Sequence, residues 1–315
     1  MGKIVCVTGA NGFIASWIVC KLLQRGYTVR GTVRNPEKCG HLLGLDGAKE
    51  RLTLFKADLL SYESLLPAFR GCHGVFHTAC PVAFQFDNPD DVLGPAIQGT
   101  ENVMTACSNE KVQRVVMTSS GAAIVADPNR PKDKVVDESC WSDSEACKEW
   151  KSWYSLAKTE SEKLAWKFAK EKGLDLIVIC PVMVFGPILQ PTSNTTVEAL
   201  KNIIKGSSIP NSWIRLVDVR DVAESHIVAL ENEAASGRYF CFAHCIHYKD
   251  VVSVLAKKFP QHCNPELQCD ESQPVGGIAP ELTKNDKLLS LIKETIPYEQ
   301  TLVDTISCLD DKGFM

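Results

Sequence analysis

Among these 315 residues there is no apolar run of the ~20 that a bilayer-spanning helix needs, so no membrane-embedded role is expected. Nor is there a charged-then-apolar leader: Met1-Gly2-Lys3 runs straight into a strand-like segment, which places the expected chain in the cytoplasm with its thiols reduced. An excess of basic residues is missing as well. With a formal net charge of −4 and no basic stripe or aromatic platform, nucleic acid is not an expected partner. Cysteine is plentiful at fourteen, yet no Cys-x-x-Cys pair occurs, and Cys6 and Cys180 fall in apolar runs where a thiol serves as a small buried hydrophobe. One cluster, Cys241 to His247, holds four potential metal ligands. Strand alternation would send Cys241 and Cys245 to one face and His244 to the other, so it reads as a strand with incidental thiols, and no metal is expected. Internal repeats and low-complexity tracts are absent too.

What is present begins at the N-terminus. Lys3 to Thr8 is an apolar, β-branched run, Gly9 to Gly12 is a turn, and Phe13 to Gln24 places Phe13, Ile14, Trp17, Ile18 and Leu22 at helical spacing. Gly26 closes that helix and Tyr27 to Val33 returns as a second strand, completing a βαβ unit. Without Cβ atoms at Gly9 and Gly12, a pyrophosphate can approach backbone N–H groups at the positive end of the helix dipole. The spacing Gly9-x-x-Gly12-x-x-Ala15, set between strand and helix, reads as a dinucleotide site, with Thr8, Gly9, Asn11, Gly12, Phe13 and Ile14 as its residues.

The acidic residue that would hold a ribose 2′-OH is lacking at the end of the second strand, where Arg30, Arg34 and Lys38 stand instead. A guanidinium meets phosphate oxygens with two donors at once, so Arg34, aided by Lys38, points to NADP(H) over NAD(H).

Strands and helices then alternate: Leu52 to Ala57, a helix from Tyr62, Gly74 to His77, a helix from about Val92 to Asn109, Arg114 to Thr118, and Leu174 to Cys180. Six strands with intervening helices specify a doubly wound parallel α/β sheet with its ligands at the carboxyl ends of the strands. Three such ends stand out: Asp58-Leu59 where adenine would lie, His77-Thr78-Ala79 beside the phosphates, and Thr118-Ser119-Ser120 near the nicotinamide. Tyr154 and Lys158, four apart at the start of a helix running to about Lys172, share one face. An ammonium beside a phenol favours phenolate, bringing a group whose reference pKa is about 10 into proton exchange near neutrality. A Ser120 hydroxyl could hold the substrate oxygen beside it.

These stretches together resemble the extended short-chain dehydrogenase/reductases, and within them the plant group of cinnamoyl-CoA reductases, dihydroflavonol reductases and related aldehyde or ketone reductases. The marks are Val7 to Ala15, Arg34-Asn35-Pro36, Val75 to Ala79, Val115 to Ser120, Trp153-Tyr154 with Lys158, Pro187 to Pro191, Asp218 to Ala223, and Ser236 to Tyr239. The resemblance covers essentially the whole chain. It implies a Ser120, Tyr154, Lys158 triad, Ser120 being preferred to Ser119 because it lies thirty-four residues before the tyrosine, as in the family. It also implies NADPH/NADP+ as cofactor, with Ser119, Pro181 and Val182 lining the nicotinamide, and a small-molecule carbonyl substrate handled by a monomer or weak homodimer.

Around the tyrosine the chain reads Ser152-Trp153-Tyr154-Ser155-Leu156-Ala157-Lys158, where cinnamoyl-CoA reductases resemble Asn-Trp-Tyr-Cys-Tyr-Gly-Lys. Their CoA-contacting His-x-x-Lys aligns with Ala199 to Asn202, which has neither end residue. A free aromatic or apolar aldehyde or ketone is therefore the expected substrate, with hydroxycinnamoyl-CoA thioesters as the alternative, favoured by Val135 to Asp143. A non-catalytic NADP(H) sensor is a further alternative, opposed by the presence of both Tyr154 and Lys158. Residues 1–181, with a return segment at about 213–235, form the expected nucleotide-binding domain, and residues 182–315 the substrate lobe. Phe84 and Phe86, in the loop after the fourth strand, are candidates for the pocket wall.

Overall fold

The computed structural model describes residues 3–80, 88–269 and 271–315. Six strands alternate with helices as the sequence pattern requires: β1 (Ile4–Thr8), β2 (Thr28–Val33), β3 (Leu52–Lys56), β4 (Gly74–His77), β5 (Arg114–Thr118) and β6 (Asp175–Pro181). Further on come β7 (Met183–Phe185), β8 (Ser208–Ile209), β9 (Trp213–Asp218), β10 (Gly237–Cys241), β11 (His244–His247) and β12 (Gln268–Cys269). The main sheet has seven strands in the order β10-β6-β5-β4-β1-β2-β3, all parallel. Val5 of β1 pairs with Val29 on one side and Gly74 on the other, so the strand order reverses at β1. That reversal opens a crevice above the carboxyl ends of β1 and β4.

Helices cover both faces, which is why the strands read as continuous apolar runs: Val5, Cys6, Val7 and Thr8 are all buried. The helix Phe13–Gln24 turns Ala15, Ile18, Val19 and Leu22 inward and packs against the helix Val219–Glu231, whose Val222, Ala223 and Ile227 join the same core. On the opposite face the helix Trp153–Lys172 lies along the helix Leu93–Asn109, with Ala96 and Ala157 permitting the close approach.

Two expectations need correction. The sheet has a seventh strand, β10, carried on the far side of β6 by a segment without the strong apolar periodicity of the others. Cys241 to His247 is also not one strand. Cys241 ends β10 opposite Pro181 of β6, whereas β11 runs antiparallel to β9 in a separate sheet of order β11-β9-β7. Ala243 N–H donates to Leu216 O across the break, and this hydrogen bond turns the chain from one sheet into the other. Within the expected return segment, β9 therefore pairs in the smaller sheet and only its following helix lies on the larger one. A two-residue pair, β8 with β12, completes the described strands.

Candidate active site

A cavity of about 830 Å³ runs along the carboxyl edge of the main sheet. Arg34, Asp58 and Leu59 line it on the β2–β3 side. Gly9, Asn11, Gly12, Phe13, Ile14, Thr78 and Ala79 line it at β1 and β4, and Ser119, Ser120, Tyr154, Lys158, Pro181 and Val182 at β5 and β6. The strand order thus puts residues far apart in sequence along one continuous trough.

The glycine turn suits a dinucleotide on its own geometry. Gly9 has φ +61°, and a Cβ there would stand 2.9 Å from the Cβ of Ala79, closing the floor of the trough. Gly12 is the N-cap of Phe13–Gln24, offers no side chain to cap it, and no acidic residue occupies the first turn. A helix start leaves its first N–H groups without intrahelical acceptors, so an anionic phosphate is what they can take.

Thr8 acts one step behind this turn. It is fully buried and does not line the cavity, contrary to its expected contact with the cofactor. Its Oγ1 accepts from the N–H groups of both Thr78 and Ala79 at 3.1 Å, while the Thr78 hydroxyl donates to Thr8 O. The side chain is consumed in tying β4's end to β1's. Lys38 also lies off the cavity: Asn35 Oδ1 accepts from Glu37 N–H and starts the 3₁₀ turn Pro36–Lys38, which carries the lysine into solvent. Arg30 is spent elsewhere, donating to the carbonyls of Ala68 and Arg70 at 3.2 and 2.6 Å. Arg34 is then the one basic side chain of the three on the trough. Phe84 and Phe86 lie outside the described residues.

Ser120, Tyr154 and Lys158 come together at the β5–β6 end. Lys158, 4% exposed, donates from Nζ to Thr118 O at 2.9 Å. Burial alone would lower its pKa, but the Cys80 thiol and the Tyr154 phenol beside it outweigh this, and the net direction is upward. Ser120 Oγ accepts from Ala122 N–H at 3.1 Å, which starts the short helix Ala122–Val125 and fixes the hydroxyl at the strand end. Ser119, its neighbour, lines the cavity but directs its hydroxyl away, to Glu162 Oε2 at 2.6 Å.

Two buried histidines support this wall in neutral form. Burial, with a lesser contribution from the Lys158 charge, pushes His77 down to about 3, and burial pushes His226 down to about 4. Neutral His226 donates from Nδ1 to Val222 O at 2.7 Å and accepts from Thr118 Oγ1 at 2.7 Å. His77 Nδ1 pairs with Thr8 Oγ1 at 3.2 Å. Because the unfolded chain protonates both near their ordinary 6.5, the stability they contribute is complete above that pH and is lost as pH falls toward 4 and 3. Asp221, pushed up to about 6 by burial, opposes them between pH 3.8 and 6, since its proton binds more tightly in the fold. Urea unfolding should accordingly show declining stability from pH 6.5 to 4, and His226→Gln should make the decline shallower. An equally steep decline in that variant would remove His226 as a cause.

Cys80, Val184 and Ser193 to Thr196 also line the cavity and were not anticipated. The last four carry a readable signal: Asn194 Oδ1 accepts from the N–H groups of Thr196 and Val197 at 3.0 and 3.1 Å, capping the helix Thr195–Lys205. A Ser-Asn-Thr-Thr run before an apolar helix is a capping signature.

The trough, its phosphate-suited turn and the serine, tyrosine and lysine at its end define a nucleotide-dependent reductase. Residues 5–241 match the model of the NAD dependent epimerase/dehydratase family, and the chain belongs to that family. It is 50% identical over 318 residues to cinnamoyl-CoA reductase 1 of Petunia hybrida, covering 100% of this chain and 94% of that protein. Tetraketide alpha-pyrone reductase 1 of Arabidopsis thaliana is 45% identical over 265 residues, 81% of each chain. The solved structure of a yeast methylglyoxal/isovaleraldehyde reductase complexed with NADPH superposes with a TM-score of 0.84 at 29% identity, covering 99% of this chain and 100% of that one. The protein is an NADP-dependent oxidoreductase of the short-chain dehydrogenase/reductase type.

Proposed function

We propose that this protein reduces the carbonyl of an aromatic or apolar aldehyde or ketone with NADPH, through Ser120, Tyr154 and Lys158. The observation that carries the reading is that these three side chains line the same trough as the Gly9–Ile14 turn and Arg34. The turn would hold the pyrophosphate on the first N–H groups of Phe13–Gln24, and Arg34 the 2′-phosphate. Asp58 and Leu59 would border the adenine, Thr78 and Ala79 the phosphates, and Pro181 and Val182 the nicotinamide. Bound NADPH supplies the hydride.

The chain's own residues manage the proton. Ser120 and Tyr154 hydroxyls donate hydrogen bonds to the substrate oxygen, which polarises the carbonyl. Tyr154 then passes its proton to that oxygen, and the Lys158 cation attracts the phenolate left behind. Lys158 Nζ, already bonded to Thr118 O, has donors left for the nicotinamide ribose. Residues 1–181, with the return segment at about 213–235, would form the nucleotide side and residues 182–315 the substrate side. Fourteen cysteines, none in a disulfide, fit a cytoplasmic setting.

Reduction of hydroxycinnamoyl-CoA thioesters is the second reading, favoured by the 50% identity to the petunia enzyme along the whole chain. Against it, Ala199 to Asn202 supply no histidine or terminal lysine for CoA, and the intervening Lys201 is paired with Glu198 at 3.1 Å. Kinetic comparison of a free aryl aldehyde with its matching CoA thioester separates the two. A higher kcat/KM for the aldehyde is expected, and a higher value for the thioester would replace the first reading with the second.

A further inference from the structure

The helix Trp153–Lys172 carries a third buried or half-buried polar side chain on the stripe that presents Tyr154 and Lys158: Glu162, four residues further and 0% exposed. Its carboxylate is surrounded by donors. Oε2 accepts from Ser119 Oγ at 2.6 Å and from Arg238 Nη2 at 3.3 Å. Oε1 accepts from Arg238 Nε at 2.5 Å and from Trp166 Nε1 at 3.1 Å. Arg238, on β10 and 8% exposed, also donates to Glu138 O and Cys140 O at 2.8 and 2.6 Å and lies 3.7 Å from the ring centroid of Trp141. One ion pair therefore ties together the catalytic helix, the end of β5, the outermost strand and the loop at residues 138–141.

From this geometry we propose that Glu162 and Arg238 are positioning residues for the reduction, acting through Ser119 on Ser120. This rests on the function proposed above. A buried ion pair contributes little net stability against an apolar pair of the same volume, because desolvation offsets the attraction. What a fully bonded pair adds is orientation. Ser119 is held by its side chain to Glu162 and by its N–H to Ile179 O at 2.8 Å, and Gly121 N–H is held to Pro181 O at 2.7 Å. Ser120, between them, has its backbone clamped on both sides, so its hydroxyl is fixed relative to a tyrosine on the very helix that bears Glu162. Removing the Ser119 hydroxyl cuts this linkage without unpairing the buried charges.

The test uses the full chain with Ser119→Ala, Ser119→Thr and Glu162→Gln. Ser119→Ala should lower kcat by about 10- to 100-fold, the scale of a misplaced catalytic group, with NADPH affinity and melting temperature close to the parent. Ser119→Thr should restore most of the loss, and Glu162→Gln, if it folds, should fall between. Independently of turnover, amide hydrogen exchange across residues 118–125 should quicken in Ser119→Ala. Unchanged kcat together with unchanged exchange would overturn the proposal. So would a loss of kcat matched by an equal loss of NADPH affinity, which would make the Ser119 hydroxyl a cofactor ligand. Were the parent to reduce no carbonyl, the function proposed above would fail, and the exchange measurement alone would decide whether the pair holds Ser120.

Discussion

Tyr154→Phe is expected to reduce turnover by about 100- to 10,000-fold, the range for removing a general acid, while leaving NADPH binding nearly intact. Tyr154 is half-buried at the start of its helix, lines the trough and neighbours the buried Lys158. Phenylalanine fills the same volume without the hydroxyl, so the trough keeps its shape and only proton donation to the substrate oxygen is lost. Single-turnover absorbance of NADPH, read beside its binding fluorescence, separates the two effects. Turnover within about threefold of the parent would eliminate Tyr154 as the proton donor.

Arg34→Ala should weaken NADPH by about 10- to 100-fold, the equivalent of losing charge-assisted hydrogen bonds, and NADH by less than about twofold. The contrast follows from position. Among Arg30, Arg34 and Lys38, Arg30 is held by backbone carbonyls and Lys38 is carried off by a turn, which leaves Arg34 to face the trough. Competitive titration of both nucleotides against the two proteins checks this. Equal weakening of both would refute the 2′-phosphate assignment.

The parts of this protein that could be read directly from sequence are those in which one short segment sets its own geometry. The βαβ unit at the N-terminus is legible because glycines, apolar spacing and the missing acid all fall within thirty-four residues. Tyr154 and Lys158 are legible because helical periodicity alone puts them on one face. What escaped reading depends on partners distant in sequence. Thr8 looked like a cofactor contact because it borders the turn, and its role in holding Thr78 and Ala79 arises only when β1 and β4 lie side by side. At the break between Cys241 and His244, Ala243 N–H is bonded to Leu216 O, a partner remote in sequence, beside the local bond from Phe242 N–H to Phe240 O. Glu162 and Arg238 are 76 positions apart, and nothing in either neighbourhood announces the other.

The strand order also bears on how the chain is made. β1 to β6 are contiguous in the sheet and have all left the ribosome once residue 181 has emerged, whereas β10, the outer strand, comes some sixty residues later. Until then, closing the fold around Glu162 would bury a carboxylate without the Arg238 guanidinium that pairs with it in the complete structure, at a cost of several kcal/mol. The nascent six-stranded half thus has an electrostatic reason to stay loosely closed, and arrival of Arg238 acts as the latch that allows the serine-bearing edge to set.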